Sequence, residues 1–161
     1  MTSSHDPQGM LFVASGVAPQ HEADFNQWYD HEHVEERARV PGFISGARYF
    51  AQSGSAAGAR KYLGLYRTQS LGVFTSPAYQ AAFGQQTPWS VANLDRMQDP
   101  MRRVCAVRAV IGFGSGSELA VLPLDLAPDL DALAARAQEA GRQLQGIPGF
   151  VQSYLLAPDA T

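Results

Sequence analysis

The segment "VPGFISGARYF" is echoed late in the chain by "IPGFVQSYLLA". Pro41-Gly42-Phe43 returns as Pro148-Gly149-Phe150, with Val and Ile exchanged around it. Both copies follow a run with helical spacing, and both open a run with strand-like alternation. Shifted by the same interval, the first apolar run, "MLFVASGVA", falls near "ELAVLPLDL". Internal repetition of this kind restricts the fold sharply, because each copy must bury its faces in the same way. The chain is expected to be one βαββαβ unit followed by the first βαβ of a second copy.

The remaining punctuation agrees with that order. A first helix is predicted from about Gln20 to Arg39, stopped by Pro41-Gly42. "GFISGARYFAQ" and "RKYLGLYRT" read as a hairpin around the small-residue turn "SGSAAGA". Ser76 and Pro77 suit the cap and first position of a helix over "SPAYQAAFGQQ", and "TPWSVANLDRM" continues as helix. "MRRVCAVRAVIGFG" is a long strand. "SELAVLPLDLA" is predicted as a strand, "DLDALAARAQEAGRQLQ" as an amphipathic helix and "GIPGFVQSYLLA" as a final strand. The fold class is therefore α+β, a ferredoxin-like antiparallel sheet with helices on one face. Residues 1–161 form a single domain in this reading. Within it, 1–9 are a tail, 10–114 the first repeat and 115–161 a partial second repeat. The open edges of such a sheet predict a homodimer.

Composition narrows the partners. A formal net charge of -3 argues against a nucleic-acid backbone. There is no apolar run of membrane-spanning length, and the first residues lack the charged and apolar regions of a secretory signal. The single cysteine, Cys105, sits in an apolar run and reads as a small core residue. A cytoplasmic location is expected.

Functional residues concentrate in "FNQWYDHEHVEERARVPGF". At about 100° per residue, Phe25, Tyr29, Glu36 and Val40 share one inward face, with Trp28 and Glu32 on one side and His33 on the other. The later helix of the repeat places Arg136, Ala137, Ala140 and Gln143 where the first has Tyr29, Asp30, His33 and Glu36. It contains no histidine, so packing alone does not require the polar set. His33 lies four residues from Tyr29 and three from Asp30 and Glu36, distances at which helical side chains touch. A carboxylate beside the imidazole would raise its pKa and suit it to general acid or base work. Tyr29 is a core aromatic or a site residue, and Glu36 needs a partner or a wet cavity. His31, Glu35, Arg37 and Arg39 read as a solvated charged face, and His5 and His21 as incidental.

Other chemistry is thinner. His31 and His33 with Asp30 and Glu36 are conceivable metal ligands. However, helical neighbours two apart diverge, and the usual four-residue histidine spacing is missing, so no metal is expected. Arg48 and Arg108 alternate with apolar residues in their strands. Each either faces outward, pairs with an acid such as Glu32 or Glu36, or anchors a substrate carboxylate or phenolate. Tyr62 and Tyr66 share a strand face. Trp89, with Tyr79 and Phe83, lies in the second helical region, where aromatics build a core or line a cavity for a flat or apolar molecule.

Trp28, Tyr29, Asp30, His33, Glu36, Pro41, Gly42 and Phe43 together resemble the dimeric α/β-barrel superfamily, and more closely its EthD-like members. "SPAYQAAF" and "TPW" resemble the second-helix region of the same proteins. The resemblance covers roughly residues 10–113, and the tail resembles a tandem member whose second copy is incomplete. It implies a cavity between sheet and helices with His33 at its wall. The superfamily includes haem enzymes, but His33 sits among acids and no second histidine is placed as a ligand, so no cofactor is expected. The reading that follows is a small-molecule enzyme of secondary metabolism or catabolism, a lyase, isomerase or cyclase. His33 would be the acid or base, Asp30 or Glu36 its partner, and Tyr29 the donor to an oxyanion. Trp28, Arg48, Arg108, Tyr62, Tyr66 and Trp89 would hold an apolar or aromatic carbonyl or phenol compound. The alternatives are a cofactor-free oxygenase acting on a phenol and a non-catalytic binding or assembly module.

Overall fold

The computed structural model describes residues 6–54, 59–125 and 129–159. His5, the middle of the small-residue turn and the end of "SELAVLPLDLA" lie outside the described residues. Five strands form one antiparallel sheet: β1 (Gly9–Val17), β2 (Phe43–Phe50), β3 (Tyr62–Thr68), β4 (Met97–Gly112) and β5 (Gln152–Pro158). Their order is β2-β3-β1-β4-β5. The chain divides into two compact units, Met1–Cys105 with Pro158–Thr161, and Ala106–Ala157. No described helix is long and apolar enough to cross a membrane.

In the larger unit, the sheet register positions everything that follows. β3 pairs antiparallel with both β1 and β2, and Gly64 lies between Val13 and Arg48. Two residues on, Tyr66 lies between Leu11 and Gly46. Alternation along "YLGLYRT" turns Tyr62, Gly64, Tyr66 and Thr68 to the buried face. Residues 6–8, expected in a tail, are tied down: the Asp6 carboxylate accepts from the Gly72 amide, and Gln8 accepts from Arg67.

The first helix is not one regular helix. Pro19–His21 is a 3₁₀ turn, α1 spans Glu22–Trp28, Tyr29–His33 is a π turn, and α2 spans Val34–Ala38. The Val34 amide reaches back five residues to the Tyr29 carbonyl. A π turn inserts a residue into the helical register and is frequent at functional sites. It moves the inner face beyond it by one position, so Arg37, not Glu36, is buried. The aromatic face then packs as a cluster. Phe25 and Trp28 are fully buried, 5.6 Å apart between ring centroids, and Tyr29 meets both edge-on. Burial of Phe25 alone contributes about 1.5–3 kcal/mol.

Two short helices close this unit. Ser76 caps α3 (Pro77–Gly84) by accepting from the Tyr79 amide, and Thr87 caps α4 (Pro88–Asp95) by accepting from the Ser90 amide. Side chains staple α4 to the first helix: Trp28 donates to Ser90, Ser90 and Thr87 donate to Glu32, and Asp24 accepts from Trp89, Asn93 and Arg96.

In the smaller unit, α5 (Leu130–Leu144) is capped by Asp129 and meets Ile111 and Ser153 at Gly141, where a Cβ would fall within 2.8 Å of Ile111. The predicted strand "SELAVLPLDLA" does not form among its described residues. Pro123 removes a ladder donor. Leu119, Val121, Leu122 and Leu124 stay exposed instead of packing into a sheet face. Of the elements predicted for residues 115–161, the helix and the last strand form.

Gly64 is a point of close approach between sheet and helix in the larger unit, because a Cβ there would lie 2.4 Å from the Tyr29 hydroxyl. Gly64→Ala is expected to lift Tyr29 from the sheet and cost about 1–3 kcal/mol of stability in chemical denaturation. An unchanged midpoint would mean that this contact does not seat the first helix.

Candidate functional site

A cavity of about 160 Å³ lies within the larger unit. The strands supply Leu11 and Val13 from β1, Tyr66 from β3, and Met97, Pro100 and Arg102 from β4. The helices supply His33 and Arg37 from the π turn and α2, Tyr79 and Phe83 from α3, and Leu94 from α4. The wall is mostly apolar. Arg102, exposed on its strand, donates to the Tyr79 hydroxyl.

Three buried polar side chains in that wall each carry an atom that makes no well-formed hydrogen bond, although the Tyr66 hydroxyl interacts with the Tyr29 hydroxyl beside it. His33 is 7 % exposed, Arg37 4 % and Tyr66 1 %. The atoms are His33 Nδ1, Arg37 Nη1 and Tyr66 Oη, and the one other such buried atom among the described residues is Asn93 Oδ1. An unsatisfied buried polar group costs about 1–3 kcal/mol, and more when charged. Unbonded atoms of both His33 and Arg37 on one cavity form a pattern that packing does not explain. Arg37 has no acid in contact: its sequence neighbour Glu36 makes no ion pair with it and does not line the cavity. The nearest aid is the Phe83 ring, 5.4 Å from the guanidinium carbon.

The electrostatics differ from the sequence expectation. No carboxylate supports His33. Its ring rests against Trp28, centroids 4.5 Å apart, and meets Tyr29 edge-on at 5.0 Å. Burial, reinforced by the charges of Arg37 and Arg48, pushes its pKa down to about 3. The imidazole is neutral at physiological pH. Tyr66 is held well above the usual phenol value by burial and by nearby Tyr29, so it keeps its proton and can donate. Burial likewise raises Tyr29.

The other sequence candidates divide among different places. Tyr29 is buried against Gly64 behind His33 and does not line the cavity. The Arg48 guanidinium lies 4.2 Å from the Tyr29 ring centre and is bonded to Asp30 and Asn26. Asp30, Arg48 and Tyr62 line a separate open cleft of about 700 Å³, where polar groups are already matched: Glu22 accepts from both Lys61 and Tyr62. Glu36 is half-buried, its pKa raised by burial and by Glu32. Glu32 serves α4 rather than an arginine. Trp28 forms the floor beneath His33, and Trp89 donates to Asp24. Arg108 belongs to the smaller unit, paired with Asp131. Cys105 is buried, as expected of a small core residue.

Arg37 is the residue that sequence reasoning misplaced, assigned to a solvated face. Tyr29, His33 and Arg37 do follow at four-residue intervals, but a regular helix puts Glu36 in better line with Tyr29, and only the π turn reverses the choice. Among the described residues, no group of three or more His, Cys, Asp or Glu is arranged to hold a metal ion. No protein-family model matches the chain, and no curated protein matches it.

The low pKa of His33 sets a pH dependence. The unfolded imidazole binds a proton near 6.5, the folded one only near 3. Acid therefore favours the unfolded chain, and stability present above about pH 6.5 is lost as pH falls toward 3. The slope is about 1.4 kcal/mol per pH unit for one proton. Unfolding free energies measured from pH 7 to 5 should fall less steeply in His33→Gln by about that amount, and the His33 ring resonances should not titrate between pH 5 and 8. Matching profiles, or an inflection near 6.5, would place His33 in water.

Proposed function

We propose that this protein is a small-molecule enzyme of the EthD-like, dimeric α/β-barrel kind, working by proton transfer without a metal or organic cofactor. The observation that carries the proposal is the convergence of buried His33, Arg37 and Tyr66 on one mostly apolar cavity, with His33 Nδ1 and Arg37 Nη1 unbonded. The strand order β2-β3-β1-β4 supports a ferredoxin-like unit. Edge strand β2 exposes Ile44 and Phe50, which supports pairing with a second copy.

The chemistry follows from what each group can do. Neutral His33 accepts a proton from a carbon beside a carbonyl. The electron pair of that C–H bond moves onto the carbonyl oxygen, where the Tyr66 hydroxyl donates a hydrogen bond to the growing charge. The imidazolium then returns its proton to another carbon, giving an isomer, or to a leaving group, giving an elimination product. Tyr66 thus takes the role that the helix pattern suggested for Tyr29. His33 in the empty cavity is a weak base. An anion beside Arg37 would remove one of the charges that depress it, so the base strengthens when the site fills.

Solvent-deuterium incorporation into small carbonyl compounds, followed by NMR, tests the reading. The wild type should exchange the hydrogens beside the carbonyl of a compound that binds. His33→Gln should abolish exchange, and Tyr66→Phe should slow it by roughly 10²–10³. Undiminished exchange in His33→Gln would remove the proposed base.

A further inference from the structure

Arg37 asks for more than a developing oxyanion. A guanidinium stays charged at any ordinary pH, so its burial must be compensated in the ground state and not only during reaction. Glu36 acts on it through space, but no carboxylate makes an ion pair with it among the described residues. Its Nη1 has no acceptor, and the cavity lining contains no carboxylate. The lining cations are Arg37 and Arg102, and the Arg102 side chain is bonded to the Tyr79 hydroxyl. Arg48, the next cation, is already matched by Asp30. The surplus in the cavity is one buried positive charge.

We infer, resting on the proton-transfer reading above, that the substrate is a small monocarboxylate whose carboxylate pairs with Arg37 and whose apolar body fills the space beside Leu11, Val13, Leu94 and Met97. A planar guanidinium fork matches a carboxylate in geometry as well as charge. The size follows from the cavity, whose 160 Å³ falls well below the roughly 300–1,000 Å³ usual for drug-sized ligands. A single ring or a short branched chain fits that space. Tyr66 from the sheet and His33 from the helix line the same cavity as Arg37, so the carboxylate anchors one end while the reacting carbon faces the base.

The test compares pairs of equal shape and unequal charge: benzoate with benzamide, and isovalerate with isovaleramide. Binding to the whole protein is measured by calorimetry and by the shift of the His33 ring resonances. The expected result is that one acid at least binds ten-fold tighter than its amide and moves the His33 signals. Arg37→Met should erase that preference while raising the melting temperature of the empty protein, because the uncompensated charge is gone. Equal binding of acid and amide would overturn the carboxylate assignment and leave the cavity and its proton-transfer chemistry standing. If no compound binds and Arg37→Met melts lower than the wild type, Arg37 is a structural group and both readings fall. The acid–amide comparison on the wild type decides the assignment even if Arg37→Met does not fold.

Discussion

The seating of Tyr29 on the backbone of Gly64 is the contact from which the rest of the larger unit is organised. There is no room for a side chain at position 64, and the phenol fills the gap. Phe25 and Trp28 pack around that ring from the preceding turn, and Arg48 covers its outer face. The helix runs on from this anchor through a π turn, which advances the next inner position by one residue. His33 and Arg37 reach the cavity as a result, while Asp30 swings out to Arg48. One steric allowance in a strand thus determines which charged residues of a crowded helix are buried.

Two carboxylates keep the arrangement rigid from the other side. Glu32 receives bonds from Thr87 and Ser90, and Asp24 from Trp89, Asn93 and Arg96. Of the two acids that a sequence reading offers to His33, Asp30 is bonded to Arg48 and Glu36 does not line the cavity. The imidazole is left among aromatic rings and two arginines, an environment that keeps it neutral. A protein that buries unpaired cationic and polar groups gives up stability at that place, and such exceptions to local consistency are characteristic of functional sites.

The open cleft around Asp30, Arg48 and Tyr62 makes a useful contrast. It is larger than the buried cavity and richer in polar groups, yet its charges satisfy one another. Volume is a weaker guide to chemistry than unmet bonding capacity. By that measure the small cavity is where a ligand would change most.

Much of the architecture was legible in the amino-acid sequence. Short apolar or alternating runs bounded by turn residues marked the five strands that form among the described residues. Ser76-Pro77 marked a helix start, and "TPWSVANLDRM" and "DLDALAARAQEAGRQLQ" marked two further helical segments. The sequence also singled out His33 by its absence from the second copy. "SELAVLPLDLA" shows where pattern stops being enough: its alternation suits a strand, but a strand needs a partner edge, and Pro123 weakens any ladder it could join. Arg37 shows the other limit. Its burial goes with a π turn over Tyr29–His33, next to the seat of Tyr29 on a distant strand, which periodicity does not announce. Local periodicity determined that the helix has an aromatic inner face with a histidine on it. Which arginine that face carries inward, and with what left unpaired, was decided by the packing of helix on sheet, since only there do hard-sphere contacts between residues far apart in sequence come into play.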